Sequence, residues 1–150
     1  MKILSSGKIC LLIVTLALAF AAKTTVAQQR LPNPTLVFLG QEYVEAEGKK
    51  LIRYHFEIAN RDRYPAELFT AAPDLPPCGQ NAKASRTWVD IYTQPGKRLY
   101  GFCAFTKPDD LSHIWFALDY EEVPPSYVYV ELQDRKTNTK YKSNLAETTL

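Results

Sequence analysis

Leu51-Ile52-Arg53-Tyr54-His55-Phe56-Glu57-Ile58 changes character at every step. Ile52, Tyr54, Phe56 and Ile58 fall on one side, and Arg53, His55 and Glu57 fall on the other. Successive Cβ atoms of an extended chain point to opposite faces, so this stretch reads as a half-buried strand with a polar face. The same pattern recurs downstream. Thr87, Val89 and Ile91 alternate with Trp88, Asp90 and Tyr92. Arg98, Tyr100, Phe102 and Ala104 alternate with Leu99, Gly101 and Cys103. Val128, Val130 and Leu132 alternate with Tyr127, Tyr129 and Glu131. Tyr, Phe, Val and Ile suit a pleated surface buried on one side.

The punctuation between these runs agrees. Gln94-Pro95-Gly96-Lys97 has the Pro and Gly placement of a type II turn and joins strands 86–93 and 98–105 as a hairpin. Glu45 to Lys50, with Gly48, joins strands 35–44 and 51–59. Asp134 to Thr139 is a polar connection before a short last strand around Lys140–Ser143. Leu111, Ile114, Trp115 and Leu118 have helical spacing, yet Ser112, Ile114, Phe116 and Leu118 alternate. The favoured reading is a brief helical turn near 109–113 and then a strand, with a full helix as the alternative. Between Thr70 and Ser85 the pattern lapses into a Pro-rich loop, and long loops of this kind are usually functional or pinned. The spacing of strands and turns predicts an all-β fold, an antiparallel sandwich of about seven or eight strands.

The N-terminus has a different grammar. Lys2 and Lys8 precede an apolar run from Ile9 to Ala22, and Thr25-Val26-Ala27 offers small residues for cleavage. These are the parts of a secretory signal over 1–27, and the apolar run is too short to span a bilayer. The expected organisation is a signal peptide 1–27, a flexible tail 28–34, one sandwich domain 35–145 and a C-terminal tail 146–150. Export predicts a secreted or periplasmic protein with no stable membrane span after cleavage. Removing Lys2, Lys8 and Lys23 from the 18 basic residues leaves 15 against 16 acidic ones. A near-neutral chain has no general attraction to nucleic acid.

Three cysteines become two when the segment holding Cys10 is removed. Cys78 and Cys103 are then expected to form one disulfide, natural in an oxidising compartment. The loop they close gives roughly 3–4 kcal/mol by the chain-entropy argument. The bond would staple the Pro-rich loop to the strand at 103. Neither cysteine belongs to a C-x-x-C redox motif.

Ser85-Arg-Thr-Trp-Val-Asp-Ile-Tyr92, Lys97-Arg-Leu-Tyr-Gly-Phe-Cys103 and Pro125-Ser-Tyr-Val-Tyr-Val-Glu-Leu-Gln-Asp-Arg135 resemble strands of a fibronectin type III or immunoglobulin-like sandwich. Tyr141-Lys-Ser-Asn144 is similar to the end of such a domain's final hairpin. The resemblance implies a module that binds a partner. It carries over no catalytic residue, because the fold hosts many unrelated functions.

No residue pattern points to catalysis, a metal or a cofactor. His55 and His113 are the only histidines and are not spaced with other ligands for zinc. Asp109-Asp110 and Glu121-Glu122 lack the spacing of a calcium loop. No Gly-x-Ser-x-Gly elbow or phosphate-cradling glycine loop occurs. The expected function is therefore an exported, non-catalytic binding or accessory module for a protein or carbohydrate. The candidate contacts are Trp88, Tyr92, Trp115 and the loop residues Leu75, Pro76 and Pro77. Arg135, Lys136, Lys140 and Lys142 form a candidate basic edge for an acidic partner, or simply keep an edge strand soluble. A secreted immunoglobulin-like protease inhibitor, inserting Leu75-Pro76-Pro77-Cys78 into a cleft, is the alternative. A hydrolase with paired carboxylates is the third reading.

Overall fold

Ile52, Tyr54, Phe56 and Ile58 do point together, into the space between two antiparallel sheets. The computed structural model describes residues 30–76 and 85–149. The smaller sheet has the order β1-β2-β5, built from β1 (Leu36–Ala46), β2 (Lys49–Ile58) and β5 (Ile114–Asp119). The larger has the order β4-β3-β6-β7, built from β3 (Thr87–Thr93), β4 (Arg98–Phe102), β6 (Tyr127–Asp134) and β7 (Thr139–Lys142). A two-residue strand, β8 (Ala146–Glu147), also pairs with β6. The architecture is an all-β sandwich.

The core lies where the inward sides of the two sheets meet. Val89 and Ile91 of β3 and Val128, Val130 and Leu132 of β6 face Tyr54, Phe56, Ile114 and Phe116 of the smaller sheet. Tyr54 stacks on Phe116 with ring centroids 4.9 Å apart and planes 11° apart. Burying each such side chain contributes about 1.5–3 kcal/mol.

Several expected boundaries move. The first hairpin turns on two residues, Glu47 and Gly48, because Ala46 already pairs with Lys49. Both turn residues have positive φ, 54° and 75°, which matches the strands' right-handed twist. In the second hairpin the hydrogen-bonded turn is Thr93–Gly96, one residue earlier than the turn expected at 94–97. Gly96 N donates to the Thr93 carbonyl at 2.8 Å, and Gly96 has φ +96°. Residues 109–113 do form a short turn, a 3-10 segment over Pro108–Ser112, and β5 follows directly. The alternative helix does not form, because Trp115 points away from Ile114, Phe116 and Leu118. The described part of the expected N-terminal tail is pinned. Leu31 packs on the core, and the Tyr64 hydroxyl donates to the Pro32 carbonyl at 2.8 Å. Strand pairing also continues past residue 145 through β8.

Candidate functional site

The outer face of the larger sheet carries side chains in register across four strands. Asp90 of β3 lies between Gly101 of β4 and Glu131 of β6. Trp88 is opposite Gln133, and Tyr92 is opposite Tyr129. Lys142 and Lys140 of β7 sit beside Glu131 and Gln133. Residues on this face stand apart from the core because Val89, Ile91, Val130 and Leu132 take the alternate positions.

Cations cap the aromatic rings of this face. The Arg135 guanidinium lies 5.1 Å from the centroid of Trp88, and Lys142 Nζ lies 3.8 Å from that of Tyr129. Tyr92 stacks on Tyr129 at 5.3 Å with planes 16° apart. Arg98 pairs with Asp90 at 2.8 Å, and Lys140 pairs with Glu131 at 3.0 Å. The bond to Glu131 holds the lysine proton more tightly and raises the Lys140 pKa. Burial, then the Asp90 and Glu131 charges, push the Tyr92 hydroxyl up. Trp88 Nε1 is buried with no hydrogen-bond acceptor among the described residues. Trp88 and Tyr92 are half-buried and Tyr129 is buried, so the face sets partly covered aromatic rings among fixed charges of both signs.

Beneath one end of this face lies the ion pair of Arg86 and Asp134. Asp134 also accepts from Thr137 Oγ1 at 2.9 Å and from Lys136 N at 3.0 Å. Burial works to raise the Asp134 pKa, but the Arg86, Thr137 and Lys136 hydrogen bonds outweigh it and hold the carboxyl below the usual range. This pairing fixes the start of the β6–β7 turn, from which Arg135 reaches back over Trp88. The Arg135 guanidinium is itself held by the Pro76 carbonyl at 2.8 Å and the Ser85 carbonyl at 3.3 Å.

The other expected contact residues are dispersed. Trp115 is on the outer side of the smaller sheet and bends toward β4. There it meets Tyr100 at 4.8 Å and Phe102 at 5.9 Å, with the Arg53 guanidinium 4.8 Å from its ring. Leu75 is half-buried and donates its N–H to the Ala72 carbonyl, while Pro76 is exposed. Pro77 and Cys78 lie outside the described residues. Cys103 follows the end of β4, and its carbonyl accepts from Ser85 N at 3.2 Å. On the expected basic edge, Arg135, Lys140 and Lys142 have intramolecular partners, and Lys136 is exposed.

Both histidines are near the surface. His55 Nε2 is 2.9 Å from Glu42, and His113 Nδ1 is 2.7 Å from the Ser112 hydroxyl. Asp110 organises its own loop by accepting from Thr106 N, Thr106 Oγ1 and Lys107 N. Among the described residues no group of three or more His, Cys, Asp or Glu side chains is placed to hold a metal. Nor is any helix among them long and apolar enough to cross a membrane.

One aromatic pair has no counterpart in the sequence reading. Tyr43 and Tyr120 meet with centroids 5.6 Å apart at the tip of the β1–β2 hairpin. Tyr43 falls in register with Ile52, so its position looks like another core position. The larger sheet does not cover it, and no local pattern signals that.

No protein-family model matches the chain, and no curated protein or solved structure matches it.

Proposed function

We propose that this chain is an exported, non-catalytic binding module that engages a protein or carbohydrate outside the cell or in the periplasm. The observation that carries the proposal is the outer face of the larger sheet. Trp88 is held there under Arg135, Tyr129 under Lys142 and Tyr92 against Tyr129, with the Asp90–Arg98 and Glu131–Lys140 pairs alongside. Aromatic plates locked by cations lose little side-chain entropy when a ligand arrives. Their edges and the paired charges around them offer apolar contact and hydrogen bonds together, a combination suited to protein or sugar surfaces. Export is supported by the basic, apolar and small-residue parts of segment 1–27.

The proposal includes an immunoglobulin-like type for the sandwich. Strands 1, 2 and 5 share one sheet, and strands 3, 6 and 7 share the other. That partition is common to the immunoglobulin arrangement, although here the fourth strand pairs with the third instead of joining the first sheet. It also includes the Cys78–Cys103 bridge as a staple between the Pro-rich loop and the end of β4. The test is to probe glycan and secreted-protein arrays with purified residues 28–150. A reproducible, saturable binder is expected, and an array without any binder would count against the proposal.

A further inference from the structure

The Tyr43–Tyr120 pair differs from the partly covered aromatic rings of the two outer sheet faces in what lies over it. Trp88 has Arg135, Tyr129 has Lys142, and Trp115 has Arg53. Among the described residues no cation lies over Tyr43 or Tyr120, although they are 70% and 51% exposed. The two rings are tilted by 43° and open onto a groove of about 640 Å³. Glu45, Glu121 and Lys50 share its walls. Asp119 lies beside Glu121 in the adjoining hollow, and Glu122 in the next. Among the described residues none of these four carboxylates forms an ion pair, in contrast to Asp90, Glu131 and Asp134. Lys49 and Lys50 are the cations lining these hollows. They leave the surroundings of the rings net negative.

We infer that Tyr43 and Tyr120 form a receptor for a cationic side chain, an arginine or lysine on an exposed basic segment of a partner protein. The π faces attract a cation held within about 6 Å. The unpaired carboxylates of Glu45 and Glu121 supply the charge that Lys50 only partly offsets, and a guanidinium can bond a carboxylate while its plane lies on a ring. The site is separate from the Trp88 face and goes beyond the binding proposed there.

The test follows the Tyr43 and Tyr120 ring signals by NMR in purified residues 28–150. The probe is a capped twelve-residue peptide of alternating glycine and arginine. The control replaces each arginine with citrulline, which keeps the shape and removes the charge. The arginine peptide should shift both rings saturably, and the citrulline peptide should not. Both tyrosines are exposed, so truncating them leaves the fold intact. Tyr43→Ala and Tyr120→Ala should each weaken binding about three- to five-fold. Lys50→Ala should tighten it about two-fold by removing the internal competitor. Equal shifts with both peptides would overturn the inference. So would no shift at either ring at millimolar arginine peptide, or shifts produced only by a neutral oligosaccharide such as maltohexaose.

Discussion

Arg86 clasps Asp134 through two parallel hydrogen bonds, Nε to Oδ1 at 2.7 Å and Nη2 to Oδ2 at 2.6 Å. The carboxylate is 5% exposed and the guanidinium 24%. Removing one partner of such a pair leaves a buried charge, so Asp134→Ala should cost about 3 kcal/mol. Replacing both with apolar residues should cost far less than the sum of the single changes. Urea unfolding of the two single variants and the double variant checks this; additive losses would mean the pair is not coupled.

The same pair sets an acid dependence. The folded-state pKa of Asp134 lies below its unfolded value of about 3.9. Its contribution is therefore complete above pH 4 and is lost as pH falls through the folded value. Unfolding free energy should decline below pH 4 more steeply in the native protein than in Asp134→Asn. Identical slopes would show that another carboxylate governs acid unfolding.

Gly101 has a narrower role. The Arg98–Asp90 ion pair passes across its bare Cα, and a Cβ there would collide with both side chains. Both are side-chain ends that can swing away, and Arg98 is well exposed. Gly101→Ala should therefore cost only about 0.5 kcal/mol, the worth of a surface pair. It should add little further loss in an Asp90→Ala background. A loss of several kcal/mol would mean that the strand backbone had shifted.

Glu47 holds φ 54° in the β1–β2 turn, a conformation that costs an ordinary L residue about 1 kcal/mol and asparagine less. Glu47→Asn should raise the melting temperature by a few degrees. An unchanged or lower value would indicate that Glu47 makes a compensating contact.

The proposed Cys78–Cys103 bridge should respond to reductant. The Ser85 backbone N–H and hydroxyl both bond to the Cys103 carbonyl, and Ala71 bridges to Ser85. Reduction, or Cys103→Ser, should lower stability by about 3 kcal/mol and speed hydrogen exchange at Ser85 first. A melting temperature indifferent to reductant would remove the staple from the proposal.

Much of the sandwich is legible where one strand face is fully covered. Thr87–Thr93 alternates buried and half-buried without a break, and its sequence says so. Leu111, Ile114, Trp115 and Leu118 keep helical spacing by chance, since Trp115 turns to Tyr100 while Ile114 enters the core. β8 consists of one alanine and one glutamate, too short for a pattern. Trp88 and Tyr92 could be placed together because they share one face of a single strand, with Asp90 between them. The cation over Trp88 comes from Arg135, more than 40 residues away, and Tyr92 meets Lys142 only through its stacking partner Tyr129, so pairing with β6 and β7 assembles the face. Tyr43 stays exposed because the facing sheet leaves it uncovered, and tertiary coverage has no local signal.

The central claim is that the outer face of the larger sheet binds a ligand. Its most direct measurement compares residues 28–150 with the Trp88→Ala/Tyr92→Ala double variant on the same glycan and secreted-protein arrays, after circular dichroism has shown that the variant keeps its fold. The native protein should retain at least one partner that the double variant loses by ten-fold or more in affinity. The absence of any partner that the double variant loses, or of any partner for either protein, would contradict the claim.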